Sequence, residues 1–399
     1  AQYLAGLLVD AGLIDPNHVV VSGDSGGGGP SWDLALSQDK VVQLDSTPQT
    51  IDATEWKSPN GTRLHLAAAI PLFTWTDLTD SLLPNGRASD GFFGAPADPL
   101  SGTYNGVPLD TAHINPVGVE KQTYVSGLFA KGISNVPSDP NQTAQFATPG
   151  SDPTADLATW FADINAGEPT FAANSNTPAI IEQVGGPLRS PLSIPLTTGF
   201  HEIPIFSIQG LTDPLFPGDQ SLMMINRLKA FDPSYPVYAF LGDVGHSYAD
   251  NPLDVWQQAH NLSNAWLTSV LGGTTPAQPG ITVDTTRCVS GQSLVSFAGP
   301  AFNDIATTLL TFSSAAAQTT VSGNNPTYEG VQTDPIANGG CRSITASQLA
   351  TGASSGPQEA SYTFAVPDSG GDTLVGGPVV NVDAAVSGGP SGEIAARLW

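Results

Sequence analysis

Residues 18–36 read HVVVSGDSGGGGPSWDLAL. The three valines at 19–21 are an apolar, β-branched run, which is typical of a buried strand in a parallel sheet. The glycine-rich turn GDSGG follows, and the helical pattern of residues 32–36 comes next. A serine on a tight turn between a strand and a helix predicts a hydroxyl that projects above the sheet as a nucleophile. The alternative interpretation is a glycine-rich turn that contains a serine by chance.

Further strand patterns lie downstream. LHLAAAI at 64–70, IPIFSIQ at 203–209 and VYAFL at 237–241 read as buried strands. A helical pattern follows each of the last two strands, at 222–231 and at 255–271, so strands and helices alternate along the chain. This order predicts βαβ units, and therefore an α/β fold with a parallel sheet.

Ser25 needs a base, because a hydroxyl is a poor nucleophile until its proton is removed. In this type of fold the chain order is serine, then a carboxylate, then histidine, with the last two on loops after later strands. Asp213 and His246 meet both conditions and are 246 − 213 = 33 residues apart, which leaves room for one helix and one strand. The sequence predicts Ser25, Asp213 and His246 as a catalytic triad, with the N–H of Gly26 donating to the oxyanion.

Other residues compete for these roles. Asp219 and Asp243 are the alternatives to Asp213 as the acid. Among the remaining histidines, His113 and His201 stand at the ends of a predicted insertion and are candidates to line the pocket. The other three are predicted to be structural: His18, His65 and His260.

Three aromatic residues, Trp32, Phe73 and Trp75, lie close to the predicted active-site end of the sheet. They are candidates for an apolar substrate pocket, and core packing is the alternative. No Cys/His metal motif, calcium loop or phosphate-binding loop is apparent, so the sequence predicts neither a metal nor a cofactor.

The chain is strongly acidic, with 36 Asp and Glu against 12 Lys and Arg and a formal net charge of −24. Such a charge opposes binding to nucleic acid or to anionic membranes. No apolar run is long enough for a membrane span. The low charge content and the many Gly and Pro residues favour a secreted or periplasmic protein. A disulfide between Cys288 and Cys341 and two separate thiols both remain open.

The composition changes along the chain and predicts four segments. Residues 1–112 and 201–272 are the two parts of a hydrolase core, and residues 113–200 are an inserted helical cap. Residues 273–399 are rich in Val, Thr, Ser, Gly and Pro and follow the linker-like TPAQP. They predict a C-terminal β-sandwich of the jelly-roll kind.

Four segments together resemble one enzyme family, the cocaine esterase and X-Pro dipeptidyl-peptidase type of α/β-hydrolase. They are VVVSGDSGGGGPSWDLAL at 19–36, AAAIPLFTWTDLTDSLLPNG at 67–86, IQGLTDPLFP at 208–217 and GDVGHS at 242–247. LVGGP at 374–378 and GEIAARLW at 392–399 are similar to the jelly-roll domain of that family. The resemblance implies the same triad, a helical cap over the pocket and hydrolysis of an ester or peptide.

The chain also departs from that family. Several strands precede the nucleophile in those enzymes, and one of their loops supplies a second oxyanion donor, typically a tyrosine. Here only a helix and a turn come before residue 18, and Tyr3 is too close to that strand to be the donor. We therefore expect a fragment of a longer enzyme, or a partner chain that supplies the missing strands.

Three functions remain from the sequence. The first is a serine hydrolase that cleaves carboxylic esters, or secondarily amides, in small or polymeric substrates. The second is an aminopeptidase of the X-Pro dipeptidyl-peptidase type. The third is a non-catalytic binding module or fragment that keeps a hydrolase scaffold.

Overall fold

The structure is a computed structural model of the whole chain. The described residues are 1–44, 51–84, 103–104, 107–108, 120–133, 157–165, 184–187, 189–197, 201–247, 249–277, 280–287 and 292–320, with short stretches between 360 and 388. Cys288, Cys341 and His113 lie outside them, as do residues 392–399.

A six-stranded sheet is the centre of the described fold. Its strands, in spatial order, are β1 (Val19–Asp24), β4 (Leu66–Leu72), β7 (Ile205–Gly210), β8 (Val237–Gly242), β9 (Ile281–Asp284) and β10 (Ser296–Gly299). The first five strands are parallel, and β10 pairs with β9 in the antiparallel sense. Every residue of β7 is buried, as expected for a central parallel strand covered on both faces. The protein is therefore mixed α/β with a mostly parallel sheet.

Helices cover both faces of this sheet. On one face, α2 (Gly28–Leu36) and α6 (Asp219–Phe231) pack with strand residues such as Leu66 and Ile205. On the other face, α7 (Leu253–Leu271) packs with Phe206 and Phe240. Neighbouring residues of one strand point to opposite faces, so the central strands β4, β7 and β8 contribute to both apolar layers.

The remaining described elements are shorter or lie around the sheet. They are α1 (Gln2–Asp10), β2 (Lys40–Leu44), β3 (Ile51–Glu55), α3 (Leu78–Leu82), β5 (Thr103–Tyr104), β6 (Val107–Pro108), α4 (Gln122–Ile133), α5 (Leu157–Asn165) and α8 (Phe302–Ile305). β2 pairs with β3, and β5 pairs with β6, both in the antiparallel sense. In the part of the chain that the structure describes, no helix combines the length and the apolarity that a membrane crossing needs.

The sheet extends further along the chain than the sequence indicated. Strand β9 was assigned to the C-terminal domain, which was predicted to begin at residue 273, but it pairs in parallel with β8. Its four residues are all buried, and Ile281 and Val283 extend the apolar layer on the α2 and α6 side of the sheet. The β-sandwich predicted for 273–399 stays a prediction, because most of residues 321–399 lie outside the described part. The helical cap predicted for 113–200 also stays a prediction, although α4 and α5 fall within it.

One predicted pocket residue lies in the core instead. Trp32 has no exposed surface and belongs to the apolar cluster between α2 and the sheet. It is the fifth residue of α2, on the buried face that it shares with Ala35 and Leu36, and this face packs against the strands. As placed here, Trp32 offers no surface to a substrate, which corrects its assignment as a substrate-binding residue.

Candidate functional site

Ser25 lies at the carboxyl end of β1, where the chain enters a short 3₁₀ turn, Ser25–Gly27. Its φ of 48° is in the left-handed region, which a residue with a Cβ adopts at a cost. The turn is sharp enough that a Cβ on Gly23 would come within 2.6 Å of the Gly27 backbone. The chain therefore holds Ser25 in a strained turn that only a glycine at position 23 permits.

Three contacts hold this turn against strand β4 and the helix that follows. The carbonyl oxygen of Ser25 accepts hydrogen bonds from the Thr74 hydroxyl, at 2.8 Å, and from the backbone N–H of Gly28. The Ser31 hydroxyl donates to the Gly27 carbonyl at 2.8 Å. The position of the Ser25 side chain is thus set from both sides of the turn.

The side chains of Ser25, His246 and Asp213 form one hydrogen-bonded row. His246 Nε2 lies 2.6 Å from Ser25 Oγ, and His246 Nδ1 lies 2.7 Å from Asp213 Oδ2. Both distances are within the normal range for hydrogen bonds. The structure thus brings together the serine, histidine and carboxylate that the sequence selected, from loops after β1, β7 and β8.

The Asp213 carboxylate is buried and fully engaged. Its Oδ1 accepts backbone N–H bonds from Leu215 and Phe216, at 2.8 and 3.0 Å, and its Oδ2 also accepts from the His246 backbone at 3.1 Å. Donors that surround a buried carboxylate compensate for its lost hydration and fix its orientation. Asp213 is therefore built to hold the imidazole in one position.

The two competing carboxylates have other partners. Asp243 Oδ1 accepts from the Thr212 hydroxyl and from the backbone of Asp250, at 2.5 and 3.1 Å. It therefore braces the loop that carries His246. Asp219 lies at the start of α6 and interacts electrostatically with Lys121. Of the three candidates, Asp213 is the one that contacts the His246 ring.

Aromatic rings flank the His246 imidazole. Phe73 and Phe216 approach it edge-on, with ring centroids at 5.3 and 5.2 Å, and Trp75 lies 5.1 Å from Phe216. Trp75 is fixed by its indole N–H, which donates to the Arg189 carbonyl at 2.6 Å. The predicted residues Phe73 and Trp75 are both partly exposed beside the row, so they form an apolar wall next to it.

Phe216 was missed by the sequence interpretation, although it stands only three residues after Asp213. An aromatic residue so close to the predicted acid was the signal that could have identified it. Phe73, in turn, has a φ of 28°, which is unusual for a bulky residue, and its backbone N–H donates to the Ile208 carbonyl at 2.6 Å. Backbone strain of this kind collects at functional sites.

Gly26 lies at the open side of the turn. It is exposed, and a Cβ added to it would meet nothing within 4 Å. There is consequently space beside its backbone for a reacting group. A second oxyanion donor is not assigned.

A buried polar network lies behind the loop that carries Asp213. Gln220 accepts from the backbone of Thr76 and Asp77, both at 3.0 Å, and donates to Asp80 at 3.0 Å. Lys121 donates to the Leu215 carbonyl at 2.6 Å, next to the amide that holds Asp213. The network therefore fixes the acid loop against the loop that follows β4.

Burial shifts the pKa values of the ionisable groups in this network. Burial, together with the nearby charges of Asp77 and Asp219, raises the pKa of Asp80 to about 8 against the opposing effect of Lys121. Burial also raises the pKa of Asp77 and of Asp219. It lowers the pKa of Lys121, although the surrounding carboxylates oppose that shift. No sequence pattern indicates this cluster, because its members come from three separate segments.

Another polar cluster lies at the opposite end of the sheet. His201, one of the two histidines considered as candidates to line the pocket, lies there beside His65 with ring centroids 5.0 Å apart and ring planes tilted by 43°. His65 immediately precedes β4, and His201 stands just before β7, whereas Ser25 follows the carboxyl end of β1. His201 therefore lies away from the serine.

Comparison with known proteins leaves the family open. No protein-family model matches the chain, and no curated protein matches it. Among solved structures, the chain is similar to the crystal structure of an aminopeptidase from a marine sediment archaeon, Thaumarchaeota archaeon, with a TM-score of 0.36 and 14% identity. The match covers 73% of this chain, which spans only 40% of that protein. Similarity at this level assigns neither a family nor a function.

Proposed function

We propose that this protein is a serine hydrolase that cleaves carboxylic esters, and secondarily amides, through an acyl-enzyme. The observation that carries the proposal is the row from Ser25 Oγ through His246 to Asp213, with bonds of 2.6 and 2.7 Å. A serine in a strained turn, a histidine within hydrogen-bond reach and a buried carboxylate behind it are the parts that nucleophilic catalysis needs.

In the proposed reaction, Ser25 Oγ attacks the carbonyl carbon of the substrate while its proton passes to His246 Nε2. Asp213 keeps the imidazole oriented and stabilises the imidazolium that forms. The carbonyl oxygen becomes an oxyanion and accepts a hydrogen bond from the Gly26 N–H. When the tetrahedral intermediate collapses, His246 gives the proton to the departing alcohol, and an ester on Ser25 remains.

Water completes the proposed cycle. His246 removes a proton from a water molecule that attacks the acyl group on Ser25. The second tetrahedral intermediate then releases the carboxylic acid, and the proton returns to Ser25 Oγ. The apolar wall of Phe73 and Trp75, with the buried ring of Phe216 next to Trp75, supports a substrate with an apolar acyl or alkyl group beside the reacting carbon.

We further propose that additional strands, from this protein or from a partner chain, complete the sheet at β1. Two observations support this. β1 is an edge strand of the described sheet, and α1 exposes several large apolar residues: Tyr3, Leu4, Leu7 and Leu8. An open edge strand offers unpaired backbone groups to another chain. A secreted or periplasmic location also remains part of the proposal.

The function is tested by turnover of matched substrates, p-nitrophenyl esters and p-nitroanilides with the same acyl group. We expect the ester to be hydrolysed faster, because its carbonyl is more electrophilic and p-nitrophenolate leaves without protonation, whereas the nitrogen of the anilide must gain a proton to leave. Ser25→Ala should abolish turnover, whereas Ser269→Ala on α7 should leave it unchanged. If the ester is hydrolysed equally fast by Ser25→Ala, the proposed nucleophile is wrong.

A further inference from the structure

Three side chains with metal-binding atoms meet at the amino ends of the parallel strands, opposite the Ser25 end of the sheet. Asp39 follows α2, His65 precedes β4 and His201 precedes β7. One carboxylate oxygen and one ring nitrogen from each histidine lie within 4.8 Å of one another. These residues are far apart in sequence, so no spacing motif reveals them.

The carboxylate of Asp39 is held in place from two sides. Its Oδ2 lies 2.5 Å from His65 Nδ1, and its Oδ1 accepts the backbone N–H of Leu66 at 2.7 Å. This pair places a carboxylate oxygen and an imidazole nitrogen side by side, and both are atom types that bind zinc. The first residue of β4 and the segment after α2 are thereby joined through Asp39.

The backbone that carries Asp39 is itself unusual. Gln38 and Asp39 have φ values of 57° and 58°, so two successive residues other than glycine are left-handed. The amide oxygen of Gln38 also accepts the backbone N–H of His201 at 3.3 Å. This strained turn points the carboxylate at the histidines, and such strain suggests a functional constraint.

We propose that Asp39, His65 and His201 bind one divalent transition-metal ion, for which Zn²⁺ is the best match. Two imidazoles and one carboxylate are a ligand set that suits Zn²⁺, with water in the fourth position. Hard cations such as Ca²⁺ and Mg²⁺ prefer sites made of oxygen atoms alone. The ion would join the end of α2 to the starts of two adjacent strands and so stabilise the sheet.

The metal-bound geometry needs only small side-chain movements. Tetrahedral ligands at about 2.0 Å from zinc lie roughly 3.3 Å apart. The Asp39–His65 pair therefore opens by about 0.8 Å when the ion replaces the shared proton, and the other separations close by at most about 1.5 Å. His201 is exposed and the His65 side chain is 38% exposed, so both are accessible to the ion.

The acidic chain attracts cations in general, so the experiment needs a matched control. Asp15 and His18 provide it, because they form the same type of pair at 2.7 Å with half-exposed side chains. Within the described residues that pair belongs to no three-residue cluster, whereas Asp39, His65 and His201 form one. His18→Ala therefore removes a comparable histidine without touching the proposed site.

The test is isothermal titration of the metal-stripped protein with Zn²⁺, together with thermal unfolding. We expect one Zn²⁺ ion per chain with micromolar or tighter affinity. The unfolding midpoint should rise by about 3 °C at a free Zn²⁺ concentration about 100 times the Kd. His65→Ala and His201→Ala should each weaken binding by roughly 100-fold or more. His18→Ala should bind like the wild type.

Three outcomes would overturn the proposal. They are no stoichiometric Zn²⁺ binding by the folded wild type, equal binding by the double variant His65→Ala/His201→Ala, and an equal midpoint shift with Ca²⁺. His201 is exposed, so His201→Ala should fold and give an answer even if His65→Ala does not. Circular dichroism of each metal-free variant checks the fold. The result is independent of the Ser25 chemistry, since the two sites lie at opposite ends of the sheet.

Discussion

Replacement of Gly28 by alanine tests whether the turn at Ser25 depends on close packing against β4. A Cβ at position 28 would lie 2.5 Å from Thr74 Cβ and 2.9 Å from the Leu72 carbonyl oxygen. Both are anchored to the backbone, so a normal contact requires α2 to move away from β4 by about 1 Å. Overpacking of this kind typically costs about 1–3 kcal/mol.

The same shift should disturb Ser25. Thr74 and the Gly28 N–H both bond to the Ser25 carbonyl, so a movement of α2 changes the direction of the hydroxyl. A misplacement of about 1 Å can lower a rate by roughly 10²-fold. We therefore expect Gly28→Ala to react with a fluorophosphonate much more slowly than the wild type, even under conditions where it is fully folded.

Gly27→Ala is the matched control. Gly27 and Gly28 both have right-handed φ and ψ values that alanine adopts readily, but a Cβ at position 27 meets nothing within 4 Å. Urea denaturation and labelling rates of the two variants isolate the contact with Thr74. If Gly28→Ala is as stable and as reactive as Gly27→Ala, the packing argument for the turn is refuted.

Three further predictions follow from individual contacts. Asp213→Asn should lower kcat for an ester by roughly 10⁴-fold, because an amide cannot hold the imidazole in the required tautomer; an unchanged kcat in steady-state assays would contradict the role of Asp213. Burial raises the pKa of Asp33 from 3.8 to about 8. Between these two pH values the folded state keeps a proton that the unfolded state loses, so the free energy of unfolding should fall as the pH rises from about 4 to 8. Asp33→Asn has no ionisable carboxyl, so its free energy of unfolding should exceed that of the wild type at pH 7 by at most about 4 kcal/mol. Urea titrations near pH 4 should show no difference between the two proteins. Equal stability at both pH values would show that the carboxyl of Asp33 is hydrated. If the partner chain that completes the sheet is a second copy of this protein, the wild type should self-associate in sedimentation velocity, and Leu4→Lys/Leu8→Lys, which places charges on the exposed face of α1, should reduce that association; a wild type that stays monomeric at high concentration would rule out a second copy.

Much of the sheet was predictable because its strands are short buried apolar runs that stand alone between glycine and proline. The segments at 18–22, 64–70, 203–209 and 237–241 all became strands with ends shifted by a few residues. Strand β9 was assigned differently because ITVD follows a linker-like segment and has the same Val/Thr composition as the predicted C-terminal domain. Its pairing with β8 is a long-range contact that composition does not encode.

The row of Ser25, His246 and Asp213 could be anticipated because strand ends of a parallel sheet meet at one edge, whatever their separation in sequence. The residues that surround this row could not be anticipated in the same way. Trp32 is close to Ser25 in sequence, but helical geometry turns it into the core. His201 was a candidate for the pocket because of its position beside a predicted insertion, whereas pairing of β4 with β7 carries it to His65.

If Ser25 is a nucleophile activated by His246, the folded protein should react covalently with a fluorophosphonate, and peptide mass spectrometry should locate the adduct. We expect a stoichiometric adduct on Ser25 that does not form in Ser25→Ala and forms far more slowly in His246→Ala, while His260→Ala reacts normally. A folded protein that stays unlabelled, or an adduct on another residue, would contradict this role of Ser25.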